Sequence, residues 1–337
     1  MQKYENDVFY DIIRMIIFNQ RNLFMHYSCF GLATTKSLLT RALNGGYAVP
    51  GFNFYNMETL QAILRAGEIT QSPIILQVSE EALNYMTDDI LMGMIAGAKY
   101  KKNQIALHLD HGHSFESCQR AIDIGFSSVM FDGSALTLSD NIKISRRVAD
   151  YAHKFDVSVE TELGVLAGIE DENTASDSHN YTDPSIVRDF VKQTTTDSLA
   201  VAIGTSHGAY KTKNKNQKLR FDILQQIATN IPKTPLVLHG ASSIPQKFVN
   251  TINKFGGDIN GARGIAASQL RHAIALHITK INVDSDSRLA FTAAVRETLS
   301  REANVFNPRK YLTNAMDAIT KNCINEIQNI MGSGYKI

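Results

Sequence analysis

Three histidines stand at the ends of three separate apolar runs of the chain. They are His111, His207 and His239, and each is followed directly by a glycine. A lone histidine beside a strand is usually a core residue, but the same placement three times indicates a shared role. Three imidazoles from different elements can hold a zinc ion and leave one coordination position open, as catalytic zinc sites do. The sequence therefore predicts a metal site that can bind a substrate oxygen.

Short apolar runs alternate with amphipathic stretches from residue 35 onward. The apolar runs predict strands at 47–52, 73–78, 105–109, 127–131, 157–162, 198–203, 235–238 and 278–282. The stretches with a helical pattern are 57–69, 115–124, 141–153, 186–193, 221–228 and 245–254. Eight strands alternating with helices predict an α/β fold, a (β/α)₈ TIM barrel, which we expect to carry an N-terminal extension and C-terminal helices.

The polar residues that could do chemistry follow these strands rather than precede them. They are Asp110, His111, Asp132, Glu162, His207, His239 and Asn282. In barrels of this kind the active site lies at the carboxyl ends of the strands. Two insertions interrupt the regular pattern, a polar one at 169–181 and a glycine-rich one at 256–267. We expect the polar insertion to be a mobile active-site loop.

Residues 8–32 are rich in Ile, Met and Phe and could be mistaken for a targeting segment. Polar residues, among them Asp11, Arg14 and Gln20, interrupt the stretch, so no apolar span long enough for a bilayer remains. We expect residues 1–33 to form an N-terminal extension, either disordered or helical. Residues 34–337 are then expected to form a single barrel domain.

The charge balance argues against a polyanionic partner. The 337-residue chain has 34 Lys and Arg residues against 33 Asp and Glu residues, a net charge of +1. This balance gives no general attraction for nucleic acid or for an anionic membrane. The cysteines, Cys29, Cys118 and Cys323, are odd in number and widely spaced, as in proteins of a reducing compartment. We expect a cytoplasmic protein that binds small molecules.

Six short motifs occur in a fixed order along the chain. They are HLDHG at 108–112, VETELG at 159–164, GIED at 168–171, GTSHG at 204–208, LHGAS at 238–242 and NVDSD at 282–286. Together they resemble the class II, metal-dependent fructose-bisphosphate aldolases. The resemblance runs from about residue 35 to the C-terminus. It implies the reversible cleavage of fructose 1,6-bisphosphate into dihydroxyacetone phosphate and glyceraldehyde 3-phosphate, in glycolysis and gluconeogenesis.

The same resemblance implies roles for individual residues. His111, His207 and His239 would hold one catalytic Zn²⁺ per subunit, which acts as a Lewis acid on the charge left by cleavage. Asp110 would take the proton of the C4 hydroxyl as a general base. Glu170, on the polar insertion, would move a proton at the dihydroxyacetone phosphate carbon.

Two further carboxylates, Asp132 and Glu162, are expected to orient metal-binding histidines or to offer the ion an alternative position. A structural role alone, as acceptors for buried histidine N–H groups, is an open alternative. The residues expected to bind the substrate and its phosphates are Ser79, Gly208, Lys211, Gly240, Ser242, Asn282, Asp284, Ser285 and Arg288. Arg288 resembles a residue that contacts the distal phosphate, and Asn53 is a weaker substrate-binding candidate.

The resemblance also implies a homodimer or homotetramer, and a monovalent cation, Na⁺ or K⁺, at the phosphate-binding loops. Alternative functions remain open at this point. A tagatose-1,6-bisphosphate aldolase would need the same catalytic groups, because its substrate is the C4 epimer. A binding or scaffold protein would have a broken site, whereas Asp110, Glu170 and the three histidines are present. Nucleic-acid binding through the basic run at 211–220 is disfavoured by the near-neutral charge.

Overall fold

A closed barrel of parallel strands forms the centre of the computed structural model, which describes residues 25–98, 104–168, 181–209 and 218–337. The barrel strands are β1 Val49–Asn53, β2 Ile74–Ser79, β3 Ile105–Gly112, β4 Ser128–Phe131, β5 Ser158–Leu163, β7 Ser198–Val201, β9 Leu236–Leu238 and β10 Ile278–Val283. They neighbour one another in the order β1-β10-β9-β7-β5-β4-β3-β2. β6 Ala167–Gly168 and β8 Ser206–His207 pair separately, as a two-stranded parallel sheet. The predicted (β/α)₈ barrel and its eight strands are confirmed.

Helices connect the strands and cover the outside of the barrel. In the described residues they are α1 Thr35–Gly45, α2 Met57–Thr70, α3 Glu80–Met86, α4 Asp88–Ala98, α5 Phe115–Ile124, α6 Leu138–Ala152, α7 Val187–Thr194, α8 Phe221–Asn230, α9 Gln246–Lys254, α10 Ala267–Ala275, α11 Ser285–Arg301 and α12 Pro308–Glu326. The six predicted helices are present, and α11 and α12 are the expected C-terminal helices. The predicted start of α6 at residue 141 was wrong, because the Thr137 hydroxyl accepts the Asp140 N–H and caps the helix earlier.

The amino-terminal end of the barrel is closed by α1. Leu38 and Leu39 of this helix are fully buried against a layer of side chains inside the barrel. The strand residues of that layer are Val49, Ile75, Ala106, Met130, Ala200 and Val237. Because this end is packed, an open cavity inside the barrel forms at the carboxyl ends of the strands. Barrels of this kind place the substrate site at that face.

The described part of the N-terminal extension packs against the barrel. The Met25 N–H donates to the Asp123 carbonyl at 2.9 Å, and the Ala33 N–H donates to the Ile105 carbonyl at 2.8 Å. Phe30 is buried in the main core. Residues 1–24 of the predicted extension lie outside the described residues. No helix that the structure describes combines the length and apolar character needed to cross a bilayer.

Asp197, just before β7, ties together three elements at the closed end of the barrel. Its carboxylate accepts hydrogen bonds from the Val159 N–H and from His153 Nε2, both at 2.9 Å, and lies 3.0 Å from Lys36 Nζ. Burial alone would raise the pKa of Asp197, but the hydrogen bonds from His153 and Val159 outweigh it and lower the pKa below its ordinary value. The ionised form is therefore the form that the fold stabilises.

We expect Asp197→Ala to lower the free energy of unfolding by about 2 kcal/mol at pH 7, because buried donors lose a charged acceptor. The folded-state pKa is depressed, so this contribution is present above about pH 4 and is lost as the pH falls through the folded-state pKa. Urea unfolding at pH 7 and at a pH below 4 measures the effect. Asp150→Ala, which removes an exposed partner of Arg146, is the matched control. A loss below about 0.5 kcal/mol for Asp197→Ala at pH 7 would contradict the assignment.

Candidate active site

A cavity of about 300 Å³ opens at the carboxyl ends of the barrel strands. Its lining includes Asn53, Asp110, His207, Gly208, His239, Gly240, Ser242, Asn282, Asp284, Ser285 and Arg288. Most of the residues predicted from the sequence to act on or bind a substrate thus share one space. Two of the predicted residues, Glu170 and Lys211, lie outside the described residues. Ser79 does not line the cavity; its hydroxyl accepts the Ala82 N–H and caps α3.

The rings of the three predicted metal ligands lie close together at this mouth. The ring centroid of His111 is 5.1 Å from that of His207 and 4.5 Å from that of His239, and the His207 and His239 centroids are 6.5 Å apart. His111 and His239 are buried, whereas His207 is partly exposed. The nearest nitrogen atoms, His111 Nε2 and His239 Nδ1, are 2.7 Å apart. His111 and His239, which are 128 positions apart in the chain, therefore present imidazole nitrogens to one space.

Carboxylates on the far side of two rings determine which nitrogen faces that space. His111 donates its Nδ1–H to Asp132 Oδ2 at 2.9 Å, with Glu162 Oε2 at 3.9 Å, and His239 donates its Nε2–H to Glu160 Oε1 at 2.7 Å. The two nitrogens that face each other then both carry lone pairs. These two lone pairs lie within 4.8 Å of an Asp110 carboxylate oxygen and form with it a donor set that fits a divalent cation. The His207 ring lies beside this set, with its centroid 5.1 Å from that of His111.

Burial controls the protonation state of His239. Desolvation lowers the pKa of this imidazole well below its ordinary value, and the nearby His111 and Lys280 lower it further. Neutral imidazole is the form that binds metals. For Asp132 the hydrogen bonds outweigh burial. Burial raises the pKa of this carboxyl, but the hydrogen bonds from His111 and Ser134 lower it more strongly. A neutral ring and an ionised acceptor are the states that metal binding needs.

The backbone of β3 turns two consecutive side chains toward the cavity. In a regular strand, neighbouring residues point to opposite faces. Here the register between β3 and β4 shifts between Leu109 and Gly112, and His111 adopts a left-handed backbone conformation with φ of 50°. This conformation is costly for a residue other than glycine and is concentrated at functional sites. The irregularity lets Asp110 and His111 reach the same site.

Two asparagines hold both oxygens of the Asp110 carboxylate. Asn53 Nδ2 donates to Oδ2 at 2.8 Å, and Asn282 Nδ2 donates to Oδ1 at 2.9 Å. Burial raises the pKa of Asp110, but the neighbouring His111, His239 and Lys280 and the Asn53 hydrogen bond lower it overall. The carboxylate is therefore ionised and fixed in orientation before a substrate arrives.

A glycine after β9 allows two of the histidine-bearing segments to meet. Gly240 has φ of 58°, and a Cβ atom there would lie 2.6 Å from the carbonyl carbon and oxygen of Ser206. A side chain at position 240 would push apart the backbones that carry His207 and His239. The glycine is thus required by close backbone approach as well as by its φ.

The sequence analysis missed a buried ion pair beneath the histidines. Glu160 and Lys280 are both fully buried, and Lys280 Nζ lies 2.8 Å from Glu160 Oε2 and 3.1 Å from His108 Nε2. His108, interpreted as a core residue, also bonds Ser128 Oγ at 2.8 Å inside the barrel. A usable signal was present in the sequence, since a lysine in the middle of an apolar strand is rarely buried without a partner.

Comparison with known proteins points to one family. Residues 33–335 match the family model described as fructose-bisphosphate aldolase class-II. The chain is 47% identical over 326 residues to a fructose-bisphosphate aldolase of Treponema pallidum (strain Nichols), with 91% of this chain and 98% of that protein covered. It is 45% identical over 304 residues to a fructose-bisphosphate aldolase of Thermus caldophilus, with 90% and 98% covered. Among solved structures, the YdjI aldolase from Escherichia coli K12 matches with a TM-score of 0.73 and 28% identity, covering 90% of this chain and 99% of that chain.

We expect Glu160→Gln to weaken the binding of Zn²⁺ by about 10- to 100-fold, because His239, a predicted ligand, loses the charged acceptor that orients its ring. Competition against a chromophoric chelator measures the affinity. Glu116→Gln, at an exposed position on α5, is the matched control and should leave it unchanged. If Glu160→Gln binds Zn²⁺ as tightly as Glu116→Gln does, the hydrogen bond from His239 to Glu160 does not support metal binding.

The single substitution also leaves the Lys280 ammonium buried without its carboxylate, which itself destabilises a protein. The double variant Glu160→Gln, Lys280→Met removes that charge. Weak metal binding in both variants would assign the effect to the lost carboxylate, whereas normal binding in the double variant would assign it to the unpaired lysine.

Proposed function

The chain belongs to the class II fructose-bisphosphate aldolase family, and from this premise we propose how its side chains carry out the cleavage. The enzyme is a metal-dependent carbon–carbon lyase that cleaves fructose 1,6-bisphosphate reversibly into dihydroxyacetone phosphate and glyceraldehyde 3-phosphate in glycolysis and gluconeogenesis. Neither the family nor the named relatives favour the tagatose alternative.

We propose that the metal is a single Zn²⁺ held by His111, His207 and His239. The observation that supports this assignment is the convergence of their rings on the cavity that Asp110 also lines. When bound there, zinc supplies a Lewis acid for the carbonyl and adjacent hydroxyl oxygens of the substrate and stabilises the negative charge of the three-carbon fragment. Asp132 and Glu162 are proposed to orient the His111 ring or to offer the ion a second position, since both carboxylates approach His111 Nδ1.

The proposed general base is Asp110. Its ionised carboxylate takes the proton of the C4 hydroxyl as the C3–C4 bond breaks, so that C4 leaves as the aldehyde and the bonding electron pair stays with the fragment that carries C3. In the direction of synthesis the same group returns the proton. The hydrogen bonds from Asn53 and Asn282 keep the carboxylate oriented during the transfer.

Glu170, which follows β6, is proposed to donate the proton that C3 needs after cleavage. The charge on that carbon is then neutralised and dihydroxyacetone phosphate is complete. Lys211 is proposed to contact a phosphate beside the loop that follows His207. Both residues lie outside the described residues, so these two roles rest on the sequence motifs alone.

The phosphate groups require backbone N–H donors, hydroxyls and little steric bulk. We propose that Gly208, Gly240, Ser242 and Ser285 surround the phosphate of the dihydroxyacetone end, with Ser79 near it. Asn282 and Asp284 would contact the sugar hydroxyls, and Arg288 would bind the distal phosphate. Carbonyl groups of the same loops would bind a monovalent cation, Na⁺ or K⁺. We further propose a cytoplasmic homodimer or homotetramer, whose size light scattering would measure.

Cleavage of fructose 1,6-bisphosphate in a coupled assay tests the function. We expect a chelator to abolish turnover, because the positive charge that stabilises the three-carbon fragment is then missing, and Zn²⁺ to restore it. Dialysis without chelator is the control. Turnover that resists chelation would refute the metal mechanism.

In the same assay the tagatose epimer should be cleaved more slowly than the fructose substrate; a faster rate would reverse the substrate assignment.

A further inference from the structure

Tyr55 lies two residues beyond the end of β1 and contacts a residue that lines the cavity. Its backbone is fixed, since its N–H donates to Thr59 Oγ1 at 3.0 Å within the capping box of α2. Its ring is partly buried and packs against the core. The tyrosine is therefore held in place by the fold before anything binds in the cavity.

Arg288, a cavity-lining residue of α11, rests on this tyrosine. Its Nε donates to the Tyr55 hydroxyl at 2.9 Å, and its guanidinium carbon lies 4.6 Å from the centre of the Tyr55 ring. The same Nε is 3.0 Å from Asp284 Oδ1, one turn earlier on the chain. The Arg288 side chain is 44% exposed, and hydrogen bonding and stacking together restrict it.

Tyr55 and Asp284 respond differently to an incoming phosphate. Asp284 is acidic, and an ionised carboxylate repels a phosphate and competes with it for the guanidinium. Tyr55 is neutral and contacts one edge and one face of the group, so it can retain the arginine while the phosphate binds. A guanidinium fixed in advance loses less conformational freedom on binding than a mobile one.

We propose that Tyr55 is a positioning residue that holds Arg288 for the distal phosphate, and that it thereby sets the preference of the enzyme for fructose 1,6-bisphosphate over fructose 1-phosphate. The proposal rests on the proposed function, in which Arg288 binds the phosphate at the C6 end. Fructose 1-phosphate lacks that group and gains nothing from an ordered Arg288.

Tyr55→Phe tests the proposal, because it removes the hydroxyl and keeps the ring. We expect KM for fructose 1,6-bisphosphate to rise five- to tenfold with kcat within twofold of the wild-type value, and both constants for fructose 1-phosphate to stay unchanged. Tyr55→Leu, which also removes the stacking face, should raise KM for the bisphosphate further. Tyr335→Phe, at an exposed position near the C-terminus, is the matched control.

A double-substitution cycle separates positioning from general support of the fold. In an Arg288→Met background, Tyr55→Phe should have no further effect on either substrate, since the group that it positions is gone. Equal losses on both substrates, a fall in kcat, or an unchanged KM for the bisphosphate would overturn the proposal. Failure of the proposed function would look different, because the wild-type protein itself would then not cleave fructose 1,6-bisphosphate, and that result would overturn both.

Discussion

The site depends on the hydrogen bonds that fix the orientation of the His111 and His239 rings through the nitrogens that face away from each other. An imidazole can offer a metal only the nitrogen that its other contacts leave available. Asp132 accepts the Nδ1–H of His111, and Glu160 accepts the Nε2–H of His239. Glu160 is fully buried and would be costly there without Lys280, which neutralises it at 2.8 Å. A buried ion pair in the core of the barrel thus orients the His239 ring.

The barrel supplies the geometry that these hydrogen bonds need. Helix α1 fills one end, and the cavity opens at the other. The register shift in β3 brings Asp110 and His111 to the same cavity, and Gly240 lets the segments carrying His207 and His239 approach each other. Each local departure from regular structure serves the convergence of side chains from different strands, which is how this fold builds active sites.

Much of this arrangement could be predicted from the sequence, because parallel strands buried on both faces leave continuous apolar runs and their polar residues follow at the carboxyl ends. The eight strands were found in this way, as were Asp110, His207, His239 and Asn282, which line the cavity. The other predicted residues that line it were expected only from the family resemblance. The pairing of Glu160 with Lys280 could not be predicted, since spacing along a strand does not say which strands face each other across the barrel interior. Nor could the contact between Tyr55 and Arg288, which are 233 positions apart.

One predicted helix start was wrong. Helix α6 begins early because of a threonine cap that hydrophobic periodicity does not detect. The Ser79 hydroxyl caps α3, a local role that the strand pattern did not predict, and its place near the substrate stays a prediction. Contacts within one element leave a periodic signal, whereas contacts between elements depend on the completed fold.

X-ray absorption at the zinc edge of the zinc-loaded protein tests the three-histidine site, because it counts the atoms bound to the ion. We expect three imidazole nitrogens at about 2.0–2.1 Å, and two in the zinc that remains bound to His207→Ala. A shell containing sulfur at about 2.3 Å, or an imidazole count that His207→Ala leaves unchanged, would contradict a site built from His111, His207 and His239.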